Sequence, residues 1–312
     1  MGFGQGAWGD HMMSITAHEA FGAYEAVRHR LPPTRPQSET YRRIATLAEI
    51  EDEFDVFLLD AFGVLNIGEA AIPGTVERVA DLRKAGKRVM VVSNAAGFPH
   101  AALMEKYARL GYDFAPEDVV TSRLTLLAGL AGRSDLHWGL MATRSAGLRD
   151  LEGLNLTYLE EDPEAYKTVD AFLMVGSAAW TEARQSLLEQ ALAERPRPVL
   201  VGNPDIVAPR ETGFSTEPGH FAHRLADRTG VLPEFFGKPF QNIFDIAFER
   251  LGPVDRSRVI MVGDSLHTDI LGAQAAGVGS ALVSGYGFFA DQDAEAAVAR
   301  SGIVPNFIVE RP

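Results

Sequence analysis

The sequence predicts an α/β fold, a Rossmann-like parallel sheet whose buried strands are connected by helices. The first observation is the four-residue apolar run Val56–Leu59, which lies between two aspartates and is typical of a strand buried on both faces. The second is a helix pattern that starts at Pro73 and stops at Gly86, followed by the apolar strand pattern Arg88–Val92. Together they form a βαβ unit. The third is the length of 312 residues, which suits two domains.

The remaining elements extend this pattern on both sides. We expect helices over Ser14–Arg30 and Tyr41–Ile50 before the first strand, and a strand and helix pair near Val119 and Leu124. The pattern restarts at about residue 134, which predicts a second α/β unit inserted into the first. Further strands and helices are expected at His137–Met141, Ala171–Val175, Thr181–Ala193, Val199–Val201, Asn242–Leu251, Val259–Val262, Ala281–Val283 and Phe307–Val309.

The domain prediction is therefore a core formed by residues 13–133 and 232–312, with an inserted domain at 134–231. Residues 1–12 resemble an expression tag, because His11-Met12 before Met13 is what a cloning site leaves. The glycines of this stretch do not predict a dinucleotide loop, since no strand precedes them.

Composition excludes several classes of protein and partner. The net charge of -13 argues against binding to nucleic acid or to an anionic membrane. The absence of cysteine excludes disulfides, thiolate metal sites and a cysteine nucleophile. No apolar run is long enough to span a membrane and no secretory leader opens the chain, so we expect a cytoplasmic protein.

Polar residues follow the predicted strands where a ligand site is expected, outside the carboxyl ends of a parallel sheet. Asp60 and Asp264 follow two strands predicted to be adjacent, and paired carboxylates form a hard oxygen site suited to Mg²⁺. A carboxylate there can attack phosphorus and form an aspartyl phosphate. Ser93 and Lys238 supply donors for the transferring oxygens. Asp269, near a helix start, could cap that helix or order the metal's waters.

In this order, the stretches D-x-x-G-V-L at Asp60, V-V-S-N at Ser93, G-K-P at Lys238 and V-G-D-x-x-x-T-D at Asp264 resemble the haloacid dehalogenase (HAD) superfamily. The insert is similar to the class II cap of the branch that includes pyridoxal phosphatase and phosphoglycolate phosphatase. Gly202-Asn203-Pro204-Asp205 is similar to the N-P-D stretch of that branch. The resemblance covers about residues 52–309 and implies a Rossmann-like core with an inserted α/β class II cap.

The resemblance also implies roles for individual residues. Asp60 would be the nucleophile and a Mg²⁺ ligand, and Phe62 would give its backbone carbonyl to the metal. Asp264 would be the second carboxylate ligand, supported by Asp269. The phosphate and substrate would be held by Ser93, Asn94, Lys238, Asn203 and Asp205. The expected partner is a small phosphorylated metabolite, and a homodimer through the cap would fit this branch.

Phe62 departs from the pattern of the family's phosphatases, which carry a second aspartate there as general acid and base. Phenylalanine can do neither, and general acid–base catalysis is typically worth about 10²- to 10⁴-fold. We expect weak activity, or activity biased to good leaving groups such as acyl or aryl phosphates. His267 is a candidate replacement, with a surface histidine at a helix start as the alternative interpretation. Ala95, where the branch has an asparagine, is a second departure.

Phe62 leaves alternatives to a phosphatase open. One is a catalytically weak or inactive relative that binds a phosphorylated ligand or a protein partner. Another is cleavage of a carbon–phosphorus or carbon–halogen bond on the same scaffold. The first of these reactions would require a Schiff-base lysine in the insert, where only Lys167 stands. The second would leave Asp264 unexplained.

Overall fold

A computed structural model describes residues 15–210 and 213–312, so the predicted tag at residues 1–12 lies outside the described residues. The strands, in chain order, are β1 Arg42–Ile44, β2 Val56–Leu59, β3 Asn66–Ile67, β4 Ala70–Ala71, β5 Arg88–Ser93, β6 Val119–Thr121, β7 His137–Met141, β8 Asn155–Tyr158, β9 Ala171–Met174, β10 Val199–Val201, β11 Val207–Pro209, β12 Phe214–Thr216, β13 Glu234–Phe235, β14 Val259–Gly263, β15 Gly279–Val283 and β16 Phe307–Val309.

The α-helices connect most of these strands. They are α1 Ala17–Ala26, α2 Thr75–Lys84, α3 His100–Arg109, α4 Ser122–Gly129, α5 Pro163–Thr168, α6 Glu182–Glu194, α7 Pro218–Thr229, α8 Gln241–Leu251, α9 Leu271–Ala276 and α10 Ala294–Ser301. A π-helical turn, Leu266–Ile270, leads directly into α9. Within the described ranges, no helix is long and apolar enough to cross a membrane.

A seven-stranded parallel sheet in the order β1-β16-β15-β14-β2-β5-β6 forms the larger layer. The interior strand β2, which lies between β14 and β5, is buried along its whole length. Phe57 and Leu59 pack into the apolar cluster on one face, and Val56 and Leu58 pack into the cluster on the other. β2 is therefore continuously apolar, as expected of a strand with both faces covered, and the parallel sheet with its connecting helices confirms the predicted Rossmann-like α/β class.

A second parallel sheet, of five strands, has the order β13-β10-β9-β7-β8. Its strands lie between residues 137 and 235, and Trp138 is fully buried in its core. The antiparallel pair β11–β12 follows β10. The strand β13 lies beyond the predicted insert of residues 134–231, and the division into core and cap stays a prediction.

One predicted helix is wrong. Residues 41–50 were expected to be helical, but Arg42–Ile44 forms the edge strand β1, paired in parallel with Phe307–Val309. A capped 3₁₀ turn, Leu47–Glu53, follows after Thr46. The pairing partner lies more than 260 residues along the chain, so local periodicity carries no information about it.

The helix α7 was not predicted, although its ends carry recognisable residues. Pro218 occupies the first turn and Gly230 ends the helix in the left-handed conformation, which is the common arrangement at helix termini.

Candidate active site

Asp60 and Asp264 lie side by side at the carboxyl edge of the seven-stranded sheet. Their strands β2 and β14 are parallel neighbours in which Leu59 pairs with Val262. The Asp60 N–H donates to the Val262 carbonyl at 2.9 Å. Both carboxylates therefore stand on rigid strand ends, where the sequence predicts them.

Lys238 joins the nucleophile candidate to a third carboxylate. Its Nζ lies 2.6 Å from Asp60 Oδ1 and 2.7 Å from Asp269 Oδ1, and the Lys238 and Asp269 side chains are 1% and 0% exposed. Burial opposes the charged form of Lys238, but the carboxylates of Asp269 and Asp60 outweigh it and raise the lysine pKa above its usual range. Charges this deeply buried persist only when they are paired.

The pKa of Asp60 reflects the same balance. Burial raises it to about 6, with a contribution from Asp269, while the ammonium of Lys238 acts in the opposite direction. The lysine therefore favours the ionised carboxylate that a nucleophile needs.

Asp264 completes a cluster of three carboxylates. One oxygen each from Asp60, Asp264 and Asp269 lie within 4.8 Å of one another. Burial, together with Asp269 and Asp60, raises the pKa of Asp264 well above its usual range. Such mutual repulsion is relieved by a bound cation. An all-oxygen donor set of this kind fits Mg²⁺.

Two glycines and a backbone amide shape the space around Asp264. Gly63 and Gly287 both have positive φ, and a Cβ at either position would collide with the Asp264 carboxylate. The Phe288 N–H donates to Asp264 Oδ2 at 2.8 Å. Only glycine allows the backbone to approach so closely. Gly287 and Phe288 were not predicted as part of the site.

Asp269 lies inside a helical turn rather than at its start. The sequence places a helix start at Thr268-Asp269, but the π-helical turn begins at Leu266. Asp269 Oδ2 accepts the Ser265 N–H at 3.0 Å, and its other oxygen contacts Lys238. π-Turns often occur at functional sites, and this one directs Asp269 inward.

Ser93 ends β5, the strand next to β2, and Asn94 directly follows it; both are buried. The Asn94 side chain holds both backbone polar groups of Lys238: Oδ1 accepts its N–H at 2.7 Å, and Nδ2 donates to its carbonyl at 2.9 Å. Nδ2 also donates to Asp205 Oδ1 at 2.8 Å. Asn94 therefore positions Lys238 through its side chain, a role that sequence reasoning missed.

Asn203 and Asp205 occupy the loop after β10 and point in different directions. The Asp205 N–H donates to Asn203 Oδ1 at 3.0 Å, which is the Asx turn expected of such a pair. Asn203 Nδ2 donates to Glu217 Oε2 at 3.2 Å. The structure thus brings Asp205 towards Asn94 and Lys238, and turns Asn203 towards Glu217.

Phe62 lies two residues beyond Asp60, between cationic side chains. Lys106 Nζ is 5.2 Å and Arg210 Cζ is 5.6 Å from the centroid of its ring, within the range of cation–π attraction. The half-buried ring offers no proton donor at this position. Metal binding by the Phe62 carbonyl stays a prediction.

His267 corrects both interpretations made from the sequence. It is 2% exposed, so it is not a surface residue. Its Nε2 lies 2.6 Å from Glu25 Oε1, and its ring stacks on Tyr24 at 4.9 Å between centroids. Because these contacts are with α1, His267 does not replace the missing acid at the carboxylate cluster.

Tyr24 on α1 was also missed. Its hydroxyl accepts the Ile206 N–H at 3.0 Å, so the first helix contacts the loop that carries Asp205. About 180 residues separate these partners, and no sequence pattern near Tyr24 indicates the contact.

Known proteins resemble this chain in sequence over most of its length. A haloacid dehalogenase-like hydrolase family model matches residues 57–147, and a HAD-hydrolase-like model matches residues 235–310. The chain is 31% identical over 301 residues to glycerol-3-phosphate phosphatase of Gallus gallus, covering 88% of this chain and 93% of the relative. The chain belongs to the HAD-like hydrolases. This membership makes it an enzyme of the HAD-like phosphoric monoester hydrolase class, in the class IIA branch.

Two solved structures place this HAD-like hydrolase among proteins of the same fold. A possible sugar phosphatase from Cytophaga hutchinsonii superposes with a TM-score of 0.76 at 24% identity, covering 86% of this chain and 98% of that one. A glycerol phosphate phosphatase from Mycobacterium tuberculosis, solved in complex with magnesium, superposes with a TM-score of 0.66 at 26% identity, covering 83% and 75%.

Proposed function

We propose that this enzyme is a Mg²⁺-dependent phosphatase of a small phosphorylated metabolite, acting through an aspartyl-phosphate intermediate. The observation that carries the proposal is Lys238, whose ammonium contacts both Asp60 and Asp269 beside a third carboxylate. A half-buried nucleophile, a buried cation and a hard-metal donor set at one strand edge match the needs of phosphoryl transfer.

In the first step, Asp60 attacks the phosphorus atom, and the bond from phosphorus to the leaving oxygen breaks. Lys238 offsets the charge of the carboxylate and of the phosphoryl oxygens, and the Ser93 hydroxyl donates to one of those oxygens. Water then attacks the phosphorus of the aspartyl phosphate, which releases inorganic phosphate and restores Asp60.

The metal would be held by Asp60, the Phe62 carbonyl and Asp264, with Asp269 supporting them. The oxygen-only donors fit a small hard cation. Bound Mg²⁺ would screen the repulsion between the anionic nucleophile and the phosphoryl group. The magnesium complex of the M. tuberculosis relative supports this choice of ion.

Phe62 biases the expected activity towards good leaving groups. Without a proton donor at that position, alkyl oxygens leave slowly, while aryl and acyl phosphates leave without protonation. We propose that the insert at residues 134–231 acts as the cap that selects the substrate.

The test is phosphate release with Mg²⁺ from alkyl, aryl and acyl phosphates, comparing wild type with Asp60→Asn. We expect release from aryl and acyl phosphates, and a loss of about 10³-fold or more in the variant, because the nucleophile is removed. Circular dichroism checks that both proteins are folded.

The second candidate function is a weak or inactive relative that binds a phosphorylated ligand or a protein, and Phe62 is the observation that favours it. Folded wild-type protein that releases no phosphate from any member of the panel would replace the phosphatase proposal with this one.

A further inference from the structure

An acid to replace the missing carboxylate at Phe62 has to satisfy three conditions. It must lie close to Asp60, keep an oxygen free, and hold a proton near neutral pH. Burial raises the pKa of Tyr24 well above its usual range, so that phenol does not release its proton, and His267 is engaged with Glu25. Building on the proposed function, we propose that Asp205 is the proton donor to the leaving-group oxygen.

A short series of hydrogen bonds and an ion pair connects Asp205 to the nucleophile. Its Oδ1 accepts from Asn94 Nδ2 at 2.8 Å, and Asn94 Oδ1 accepts the Lys238 N–H at 2.7 Å. Lys238 Nζ lies 2.6 Å from Asp60 Oδ1. Asp205 is therefore positioned by the same side chain that positions the phosphate-binding lysine.

The second oxygen of Asp205 is available to substrate. Within residues 15–210 and 213–312, Asp205 accepts one side-chain hydrogen bond, at Oδ1 from Asn94, so Oδ2 can carry a proton. The residue is half-buried rather than sealed. It stands on the loop after β10, so the second sheet brings it next to Asn94 and, through Asn94, to Lys238.

The surroundings of Asp205 favour its protonated form. Burial raises its pKa to about 8, and the charges of Asp60 and Asp269 act in the same direction. The Asn94 hydrogen bond and Lys238 lower it, but do not offset burial. From α1, the Tyr24 hydroxyl also faces Asp205, and burial keeps that phenol protonated. A neutral carboxyl is the form that a general acid requires.

Asp205 gives up its proton in the first step and regains one in the second. As Asp60 forms its bond to phosphorus and the leaving oxygen departs, the Asp205 Oδ2 proton moves to that oxygen and yields an alcohol. Asp205 is then a carboxylate. It accepts a proton from the water that attacks the aspartyl phosphate, and the phosphate that leaves restores Asp60.

The test compares two leaving groups in Asp205→Asn, in which an amide oxygen can still accept from Asn94. We expect turnover of an alkyl phosphate to fall by about 10²-fold, and turnover of 4-nitrophenyl phosphate by less than about threefold, because an aryl oxygen needs no proton. Equal losses on both substrates would assign Asp205 a structural role and overturn the proposal. Glu217→Gln, a buried carboxyl nearby, is the control and should leave the ratio between the substrates unchanged.

A rescue experiment separates acid catalysis from positioning. The double variant Asp205→Asn, Phe62→Asp should turn over an alkyl phosphate at least about tenfold faster than Asp205→Asn alone, because it supplies a new acid. It should also shift the alkaline limb of the pH profile. No rescue in a folded double variant would count against the proton-donor role. If wild type fails to hydrolyse 4-nitrophenyl phosphate, the proposed function fails first, and this inference fails with it.

Discussion

The two parallel sheets share an architecture but differ at their carboxyl ends. In the seven-stranded sheet, adjacent strands lead into Asp60 and Asp264, which are joined through Lys238 and Asp269. In the five-stranded sheet, β7 and β9 end in Met141 and Met174, and no carboxylate directly follows them. The same parallel-sheet geometry therefore carries the nucleophile and the carboxylate cluster in the first sheet, and a packed core in the second. The second sheet reaches the chemistry only through Asp205, on the loop after β10.

Glycine after strands of the second sheet brings it close to the first. A Cβ on Gly202, just after β10, would lie 2.8 Å from Leu126 Cδ2 on α4, and one on Gly176 would lie 3.7 Å from Gly97 Cα. These close approaches let the second sheet place its loop, with Asp205, against the edge that carries the nucleophile.

Trp138 tests the packing role of the second sheet. We expect Trp138→Ala to lower the free energy of unfolding by about 3–5 kcal/mol, because a fully buried indole is replaced by a cavity. Turnover by the remaining folded protein should stay within about twofold of wild type. Denaturant titration and phosphate release measure the two effects. A large fall in turnover at unchanged stability would contradict the packing role assigned to Trp138.

His223, which is buried against β13, tests the packing around the second sheet through the pH dependence of stability. Burial, with Arg30, His29 and His220, lowers its pKa to about 4, and Asp227 acts against them. The unfolded chain binds this proton near pH 6.5 and the folded chain does not, so stability falls between pH 6.5 and 4.

For this one group, the loss amounts to about 3 kcal/mol. In His223→Phe, we expect the free energy of unfolding to fall by about 3 kcal/mol less than in wild type as the pH is lowered from 6.5 to 4. The exposed His18→Gln serves as control, and identical acid limbs in wild type and His223→Phe would contradict the assignment.

Asp264 tests whether a metal binds at the carboxyl edge of the seven-stranded sheet. Mg²⁺ at about 100 times its dissociation constant should stabilise wild type by about 2.7 kcal/mol, seen as a rise in Tm. Asp264→Asn should remove this rise, and the exposed Asp245→Asn should keep it. An unchanged wild-type Tm at millimolar Mg²⁺ would count against the metal assignment.

Phe62→Asp has the smallest expected effect. We expect turnover of alkyl phosphates to rise by about tenfold, or about 1.4 kcal/mol of barrier. Lys106 and Arg210 near the ring would favour the ionised carboxylate and limit the gain. A folded variant with unchanged or lower turnover would sink the leaving-group argument.

The sequence predicts most site residues at the carboxyl edge of the seven-stranded sheet, because short local patterns identify them. The apolar run Val56–Leu59 is β2 with the predicted bounds, and the residues after it are recognisable by type and spacing. Lys238 was placed from the glycine and proline beside it, and it does contact Asp60. Each of these inferences needs only a few neighbouring residues.

Contacts between distant segments could not be predicted. The edge strand Arg42–Ile44 depends on a partner near the end of the chain, and Tyr24 depends on Ile206. The burial of His267 under α1 likewise follows from tertiary packing, since a histidine near a helix start is usually exposed.

The strand order has a consequence for how the enzyme is made. β14, β15 and β16 lie between β1 and β2 in the sheet, although they follow every other strand in the chain. Until residue 259 and those after it are synthesised, the edge of β2 that pairs with β14 stays open. Lys238 also lacks Asp269, the second carboxylate that it contacts beside Asp60. The nascent chain therefore presents an unpaired strand edge that can associate with other chains, and the carboxylate cluster is completed only after β14 and Asp269 are synthesised.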